Sequence, residues 1–203
     1  MRVRRISTIV LITSTVVLAG CQTAQEKQFS QNTTQLNALD PIEQSVFTAG
    51  EKFNYLDLLN SEAAKSSLVM AVDSSGTKFL TETGCEFTQA DPFTPSIKWT
   101  NCDGDGSAEV VTEGNIWPLQ IGNSVSYKVN GIHEGESWSG TTICEVQSAQ
   151  NIVLGSENYD TFKVVCKRKD RVKTFFMTAS AKQPLVYRSK KGGQYRTHQQ
   201  LIR

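Results

Sequence analysis

Apolar and polar residues alternate through much of this chain. Val125, Tyr127 and Val129 are apolar, with Ser126 and Lys128 between them, the period-2 signature of a strand with one buried face. Trp138, Thr142, Cys144 and Val146 share one parity on the expected return strand, and Asn130-Gly131 between the two runs predicts a tight hairpin turn. Phe162, Val164 and Cys166 repeat the pattern, a turn is expected near Lys169-Asp170, and a strand returns through Phe175 and Met177. Two more strands are expected over 184–189 and 194–202, separated by Lys190-Lys191-Gly192-Gly193. Upstream, Phe53 and Tyr55 alternate with polar residues, and runs at 68–72 and 78–83 flank the turn-rich Asp73-Ser74-Ser75-Gly76. One short helix is predicted near the start of the folded part. Asp40 is placed to cap it, Pro41 opens it, Glu43 completes a capping box, Ile42, Val46 and Phe47 would share a face, and Gly50 would stop it. These elements predict a mainly β protein: an antiparallel meander forming a curved sheet or partly closed barrel, with one short N-terminal helix.

The first twenty residues break this pattern. Arg2, Arg4 and Arg5 precede an apolar stretch running to about Leu18, which is shorter than the roughly 20 apolar residues a membrane span needs. Leu18-Ala19-Gly20-Cys21 resembles the lipobox of bacterial lipoproteins. The resemblance implies cleavage before Cys21 and acylation of that cysteine, and two or three acyl chains make a durable membrane anchor where one does not. Gln22 stands where an aspartate would signal retention in the inner membrane, so the resemblance implies the outer membrane, facing the periplasm. Residues 21–39 are rich in glutamine, threonine and asparagine and are expected to form a lipidated flexible tether.

Removing Cys21 leaves Cys85, Cys102, Cys144 and Cys166. An even number in an oxidising compartment predicts two disulfides. Three connectivities are open. Pairing of neighbours, Cys85 with Cys102 and Cys144 with Cys166, is favoured because each pair falls within a local β unit.

The runs "WPLQIGNSVSYKVNG", "GSENYDTFKVVC" and "KTFFMTASAKQPLVYRS" resemble a pattern in uncharacterised proteobacterial periplasmic β-sheet envelope proteins. The shared positions mark strands and turns, and the resemblance implies no catalytic residues. A parallel between "AGEKFNYLD" and "IGNSVSYKV" suggests two related β halves, an N-terminal half over 40–116 and a C-terminal half over 117–203.

Candidate chemistry is sparse. His133 and His198 stand outside any HExxH motif, the serines form no GxSxG elbow, and no phosphate-binding loop is present. Glu134 and Glu136 read as a solvated hairpin rather than a carboxylate pair for sugar hydrolysis. Asn101, Asp103 and Asp105, followed by Gly106, resemble the start of a calcium loop. Thr112 stands where an EF-hand would place its bidentate glutamate, so a plain Asp/Gly turn is favoured. No metal or cofactor is expected.

Charge is divided along the chain. Residues 21–162 carry 6 basic and 19 acidic side chains, whereas 163–203 carry 12 basic and one acidic. The whole chain sums to +1, and loss of Arg2, Arg4 and Arg5 on the expected cleavage brings it to about −2, a balance that argues against a dedicated nucleic-acid binder. If the last strands are neighbours in space, Lys167, Arg168, Lys169, Arg171, Lys190 and Lys191 form a basic surface for an anionic lipid or an envelope protein. The alternative is that antiparallel pairing neutralises them against acidic strands.

These features lead to a non-enzymatic, membrane-anchored periplasmic lipoprotein with a binding or scaffolding role in the cell envelope. A carrier of a lipid or other apolar ligand is a second reading, and a hydrolase assembled from distant residues is a third. An open groove lined by Trp138, Phe162, Phe175 and Tyr187 would favour carriage; the same residues packed shut under a helix would favour scaffolding.

Overall fold

A computed structural model describes residues 33–60 and 64–202. The signal peptide expected over 1–20, Cys21 and the start of the expected tether lie outside the described residues. Regular structure is present ahead of Asp40: β1 (Thr33–Leu36) lies along a longer strand as an added stave, pairing Thr33 with Ile152 and Leu36 with Ala149. The tether expectation for 21–39 is corrected at its end: Leu36 and Leu39 pack against the core.

Twelve further strands close a barrel. The first six are β2 (Lys52–Asp57), β3 (Ala64–Asp73), β4 (Gly76–Thr81), β5 (Glu86–Gln89), β6 (Lys98–Thr100) and β7 (Gly106–Asn115). The second six are β8 (Ser124–His133), β9 (Glu136–Leu154), β10 (Glu157–Arg168), β11 (Arg171–Met177), β12 (Val186–Lys191) and β13 (Gln194–Ile202). Every neighbouring pair is antiparallel and sequential, except that β13 pairs with β2, joining the chain's last strand to its first stave. Pairing of β8 with β9 completes the ring. The partly closed barrel expected from the alternation is therefore a closed one, with no free edge along the ring.

Alternation sorts the side chains. Val125, Tyr127, Val129, Cys144, Phe162, Val164, Phe175 and Met177 all belong to one buried cluster inside the barrel. Glu109, Glu113, Lys128 and Glu145 point the other way and are exposed. This is the inverse of a membrane-spanning barrel, whose outer face must be apolar. A bulge between Lys163 and Val164 shifts the register of β9, so that Val146 and then Ala149 both face inward.

Two local expectations are corrected. Asn130-Gly131 is not a turn: β8 runs through it to His133, and the chain reverses at Glu134 (φ 50°) and Gly135 (φ 82°). Two successive positive φ angles suit a two-residue hairpin loop. Gly131 is needed for space, since a Cβ there would lie 2.7 Å from the Trp138 ring. Nor does 40–50 form a helix. The N–H of Ile42 donates to the Leu119 carbonyl and the N–H of Leu119 returns the bond to Ile42, at 3.2 and 2.8 Å. Val46, expected on the buried face, is 76% exposed. Caps can only start a helix, and one of two turns is marginal without tertiary support. Here the tertiary contacts favour an extended plug: Ile42 enters one buried cluster and Phe47 another.

Candidate functional site

The barrel has two unlike ends. The turns of β4–β5, β6–β7, β8–β9, β10–β11 and β12–β13 form a rim, while the connections over 90–97, 115–123 and 178–185 lie at the opposite end. These connections form a floor. Phe93, Ile116 and Leu119 from them are buried with the inward residues of the strands. Asp91 organises the first connection: one carboxylate oxygen accepts from the N–H groups of Phe93 and Thr94 at 2.8 and 2.9 Å, and the other accepts from Trp117 Nε1 at 3.2 Å.

Both disulfides form with the favoured pairing. Cys144 and Cys166 stand directly opposite each other on β9 and β10, with Cα atoms 3.9 Å apart, inside the filled part of the barrel. Cys85 and Cys102 join the β4–β5 turn to the β6–β7 turn at the rim. Each closes a loop of about 20 residues, worth roughly 3 kcal/mol by chain entropy.

The floor and the first disulfide fill only part of the lumen. A cavity of about 450 Å³ remains beside β2–β5 and β11–β13, within the range of small-molecule sites. Two stacked aromatic pairs line it: Phe79 with Phe87, centroids 5.2 Å apart, and Phe175 with Tyr187, 5.1 Å apart. Gln183 and Pro184 lie toward the floor, Ser67 and Thr81 toward the rim.

Three ionisable groups on this cavity, Tyr55, Tyr187 and Lys173, are displaced from their ordinary behaviour. Burial pushes the phenols of Tyr55 and Tyr187 up, against opposing hydrogen bonds with Ser67 and Ser189. Lys173 is pushed down to about 8, first by burial and then by the positive charges of Arg171 and Arg168. Two other charged side chains on the cavity are engaged. Lys65 pairs with Asp57 at 2.7 Å, and Glu82 accepts from the Ser66 N–H at 2.9 Å.

A ladder of rings and a guanidinium stands beside the cavity on β6–β10. Trp99 Nε1 donates to His133 Nδ1 at 3.1 Å; Trp99 and Trp138 have centroids 6.3 Å apart; Arg168 lies 4.6 Å over the Trp138 ring. Register explains the ladder. Trp99 is opposite Gly106 and Trp138 is opposite Gly131, so each ring lies over a glycine across the strand pair. A Cβ at Gly140 would likewise meet the Arg168 guanidinium at 2.8 Å.

The basic residues named from sequence come together. Arg171 is opposite Lys191 in the β11–β12 register, and the Gly192 N–H donates to the Asp170 carbonyl at 3.0 Å. The β10–β11 and β12–β13 turns are thus adjacent on the rim, and the consecutive basic strands β10 to β13 pair with one another, with β9 and β2 on either side. Lys167, Lys169, Arg171 and Lys191 are exposed there, Arg168 turns onto Trp138, and Lys190 lies 4.2 Å over Tyr195.

The Asn101–Asp105 loop behaves as a turn. Asn101 and Asp103 have φ near 55°, and the Asp105 carboxylate accepts from the Asn101 N–H at 2.8 Å. Glu134, in turn, accepts from the Asp105 N–H. Among the described residues, no group of three or more His, Cys, Asp or Glu side chains is placed to hold a metal ion. His133 faces the ladder. His198 accepts from Arg188 Nε at 3.2 Å and is pushed down to about 4 by burial and by the Arg188 charge, with Asp57 opposing.

Sequence reading named Phe175 and Tyr187 as groove residues, and they do line the cavity, whereas Phe162 is packed in the filled part and Trp138 stands in the ladder. It missed Lys173. The available signal was parity, since Lys173 alternates with Phe175 and Met177 and stands opposite Cys166.

No family model matches the chain, and neither does any curated protein. Among solved structures the chain is similar to a hypothetical lipoprotein, YmcC, of Escherichia coli K12. The likeness has a TM-score of 0.50 at 12% identity and spans 91% of this chain and 98% of that one, so the two share a fold over nearly their whole lengths.

Proposed function

We propose that the protein is a non-enzymatic binding protein of the bacterial cell envelope, held at the outer membrane by acyl chains on Cys21, whose barrel lumen receives a small ligand from the periplasm. The observation that carries this reading is the unfilled cavity in an otherwise closed and floored barrel. Two disulfides suit an oxidising compartment, the lipobox-like Leu18-Ala19-Gly20-Cys21 supplies an anchor, and the structural neighbour is named a lipoprotein. Carriage gains over pure scaffolding because Phe175 and Tyr187 face a partly open cavity rather than packing shut under a helix.

One experiment addresses anchor and cargo together: mass spectrometry of the full chain purified from its own membranes. The intact mass should correspond to a chain beginning at acylated Cys21. Solvent extraction should release a small molecule that is absent from a Ser67→Trp variant, in which the indole fills the cavity. An unacylated chain would remove the anchor, and identical extracts from both proteins would remove the ligand.

A further inference from the structure

The lumen holds a cation, Lys173, with no ion-pair partner among the described residues; Glu82, a carboxylate on the same cavity, accepts from the Ser66 N–H instead. Lys173 lies on β11 one inward step from the rim, opposite Cys166 on one side and Ser189 on the other. It lines the cavity. Among the described residues the close ion pairs are Lys65–Asp57, Lys78–Glu86, Lys128–Glu113 and Lys182–Glu51, so no carboxylate pairs with Lys173. Its charged neighbours have the same sign, Arg171 and Arg168. A barrel built only for stability would place an apolar residue there, because even a half-buried charge without a partner is costly.

The surroundings define what could offset that charge. An anion at Lys173 offsets it, with Arg171 and Arg168 adding to the positive field. Below it the walls are aromatic, Phe79 and Phe87 with Phe175 and Tyr187, and they accept a compact apolar body better than a polar one. Resting on the reading of the lumen as a ligand site, we propose that this cavity binds a compact amphipathic acid, its carboxylate or phosphate monoester at Lys173 and its apolar body between the two aromatic pairs.

Four probes of one shape separate charge from shape: 4-phenylbutyrate, 4-phenylbutyl phosphate, 4-phenylbutanol and 4-phenylbutylamine. Each is titrated calorimetrically into the full chain in nanodiscs of neutral phosphatidylcholine, with empty nanodiscs subtracted. At least one acid should bind about tenfold or more tightly than the alcohol, as a charge-assisted contact implies, and the amine should bind weakest. The stronger of the two acids identifies the head group. Lys173→Met should erase the preference for acid over alcohol while leaving alcohol binding in place, and Lys173→Arg should retain the preference. The retained alcohol binding also shows that the variant is folded. Equal binding of acid and alcohol, or an unchanged preference in Lys173→Met, overturns the assignment of Lys173 while the lumen stands as a binding site. If no probe binds at millimolar concentration, the proposed ligand class is overturned; a small molecule still extracted from the membrane-purified protein then keeps the broader reading alive.

Discussion

The two sides of the barrel lumen are built from the same alternating strands, yet one is full and the other is hollow. Beside β7–β10 the interior is packed with Val125, Val129, Val146, Phe162, the Cys144–Cys166 bridge and floor residues such as Leu119, each no more than a few per cent exposed. Beside β2–β5 and β11–β13, Val69, Phe79 and Phe47 form a smaller cluster, and the remaining space is the cavity. Barrel width grows with strand number, and about eight strands is the size at which inward side chains alone fill the interior. Twelve strands therefore need extra material, and the floor connections supply it more completely on one side than on the other, where Pro92, Gln183 and Pro184 only border the cavity. The difference teaches that the hollow follows from where the connections insert, since the strands on both sides obey the same inward and outward rule.

Cutting away one large ring on each side tests this comparison most severely. Phe162 is 1% exposed and sits among buried neighbours, so Phe162→Ala should cost about 3–5 kcal/mol of unfolding free energy. Phe87 already borders empty space, so Phe87→Ala loses fewer contacts and should cost about half as much or less. Denaturant unfolding with both disulfides intact measures the two. Equal losses would show that the cavity wall is packed as tightly as the core and would end the distinction.

The second test adds charge to the comparison. Replacing Lys173 by Met keeps the side chain's length and removes a cation that the hollow side does not pair. Lys173 titrates near 8 when folded and near 10.5 when unfolded, so between those values the unfolded chain binds more protons and stability rises with pH. The penalty from Lys173 is fully present below pH 8, fades between about 8 and 10.5, and is gone above. Lys173→Met should therefore be more stable than the parent at pH 7, by up to about 3 kcal/mol, and the gap should shrink as pH rises toward 10. A gap that is constant with pH, or of opposite sign, would mean that Lys173 is well solvated or paired in the folded protein.

What the sequence revealed follows the same division. Alternation identified most of the C-terminal strands, because each has one face in a filled interior and one in water, and the neighbour pairing of the four cysteines followed from those strands. The misread features were those whose meaning depends on a distant partner. Gly131 looked like a turn residue because Asn-Gly usually is one; only the register with Trp138 shows that it makes room for a ring. Asp40-Pro41 looked like a helix start because caps are local signals, whereas the bridge from Ile42 to Leu119 is not. Lys173 disappeared into a run of basic residues that reads as a solvated face, although its parity with Phe175 turns it inward. The cavity itself had no sequence signal, because empty space is set by the connections that fail to fill it.

The smallest effect lies at the boundary between the two sides, where Arg168 covers Trp138 at 4.6 Å. A guanidinium over an indole at a partly exposed site is worth about 0.5–1 kcal/mol. A single Arg168→Ala measurement cannot isolate it, because Arg168 also brings positive charge toward Lys173 and its removal relieves that repulsion. The two contributions oppose each other, so the net change should be close to zero. A double-mutant cycle with Arg168→Ala and Trp138→Leu extracts the ring contact, and a second cycle with Arg168→Ala and Lys173→Met extracts the repulsion. The first coupling should be favourable and the second unfavourable, and only the second should weaken as pH rises past 8. If both are favourable, Arg168 is a structural clasp of the filled side; with opposite signs, it spends ring-contact stability on holding positive charge over the hollow one.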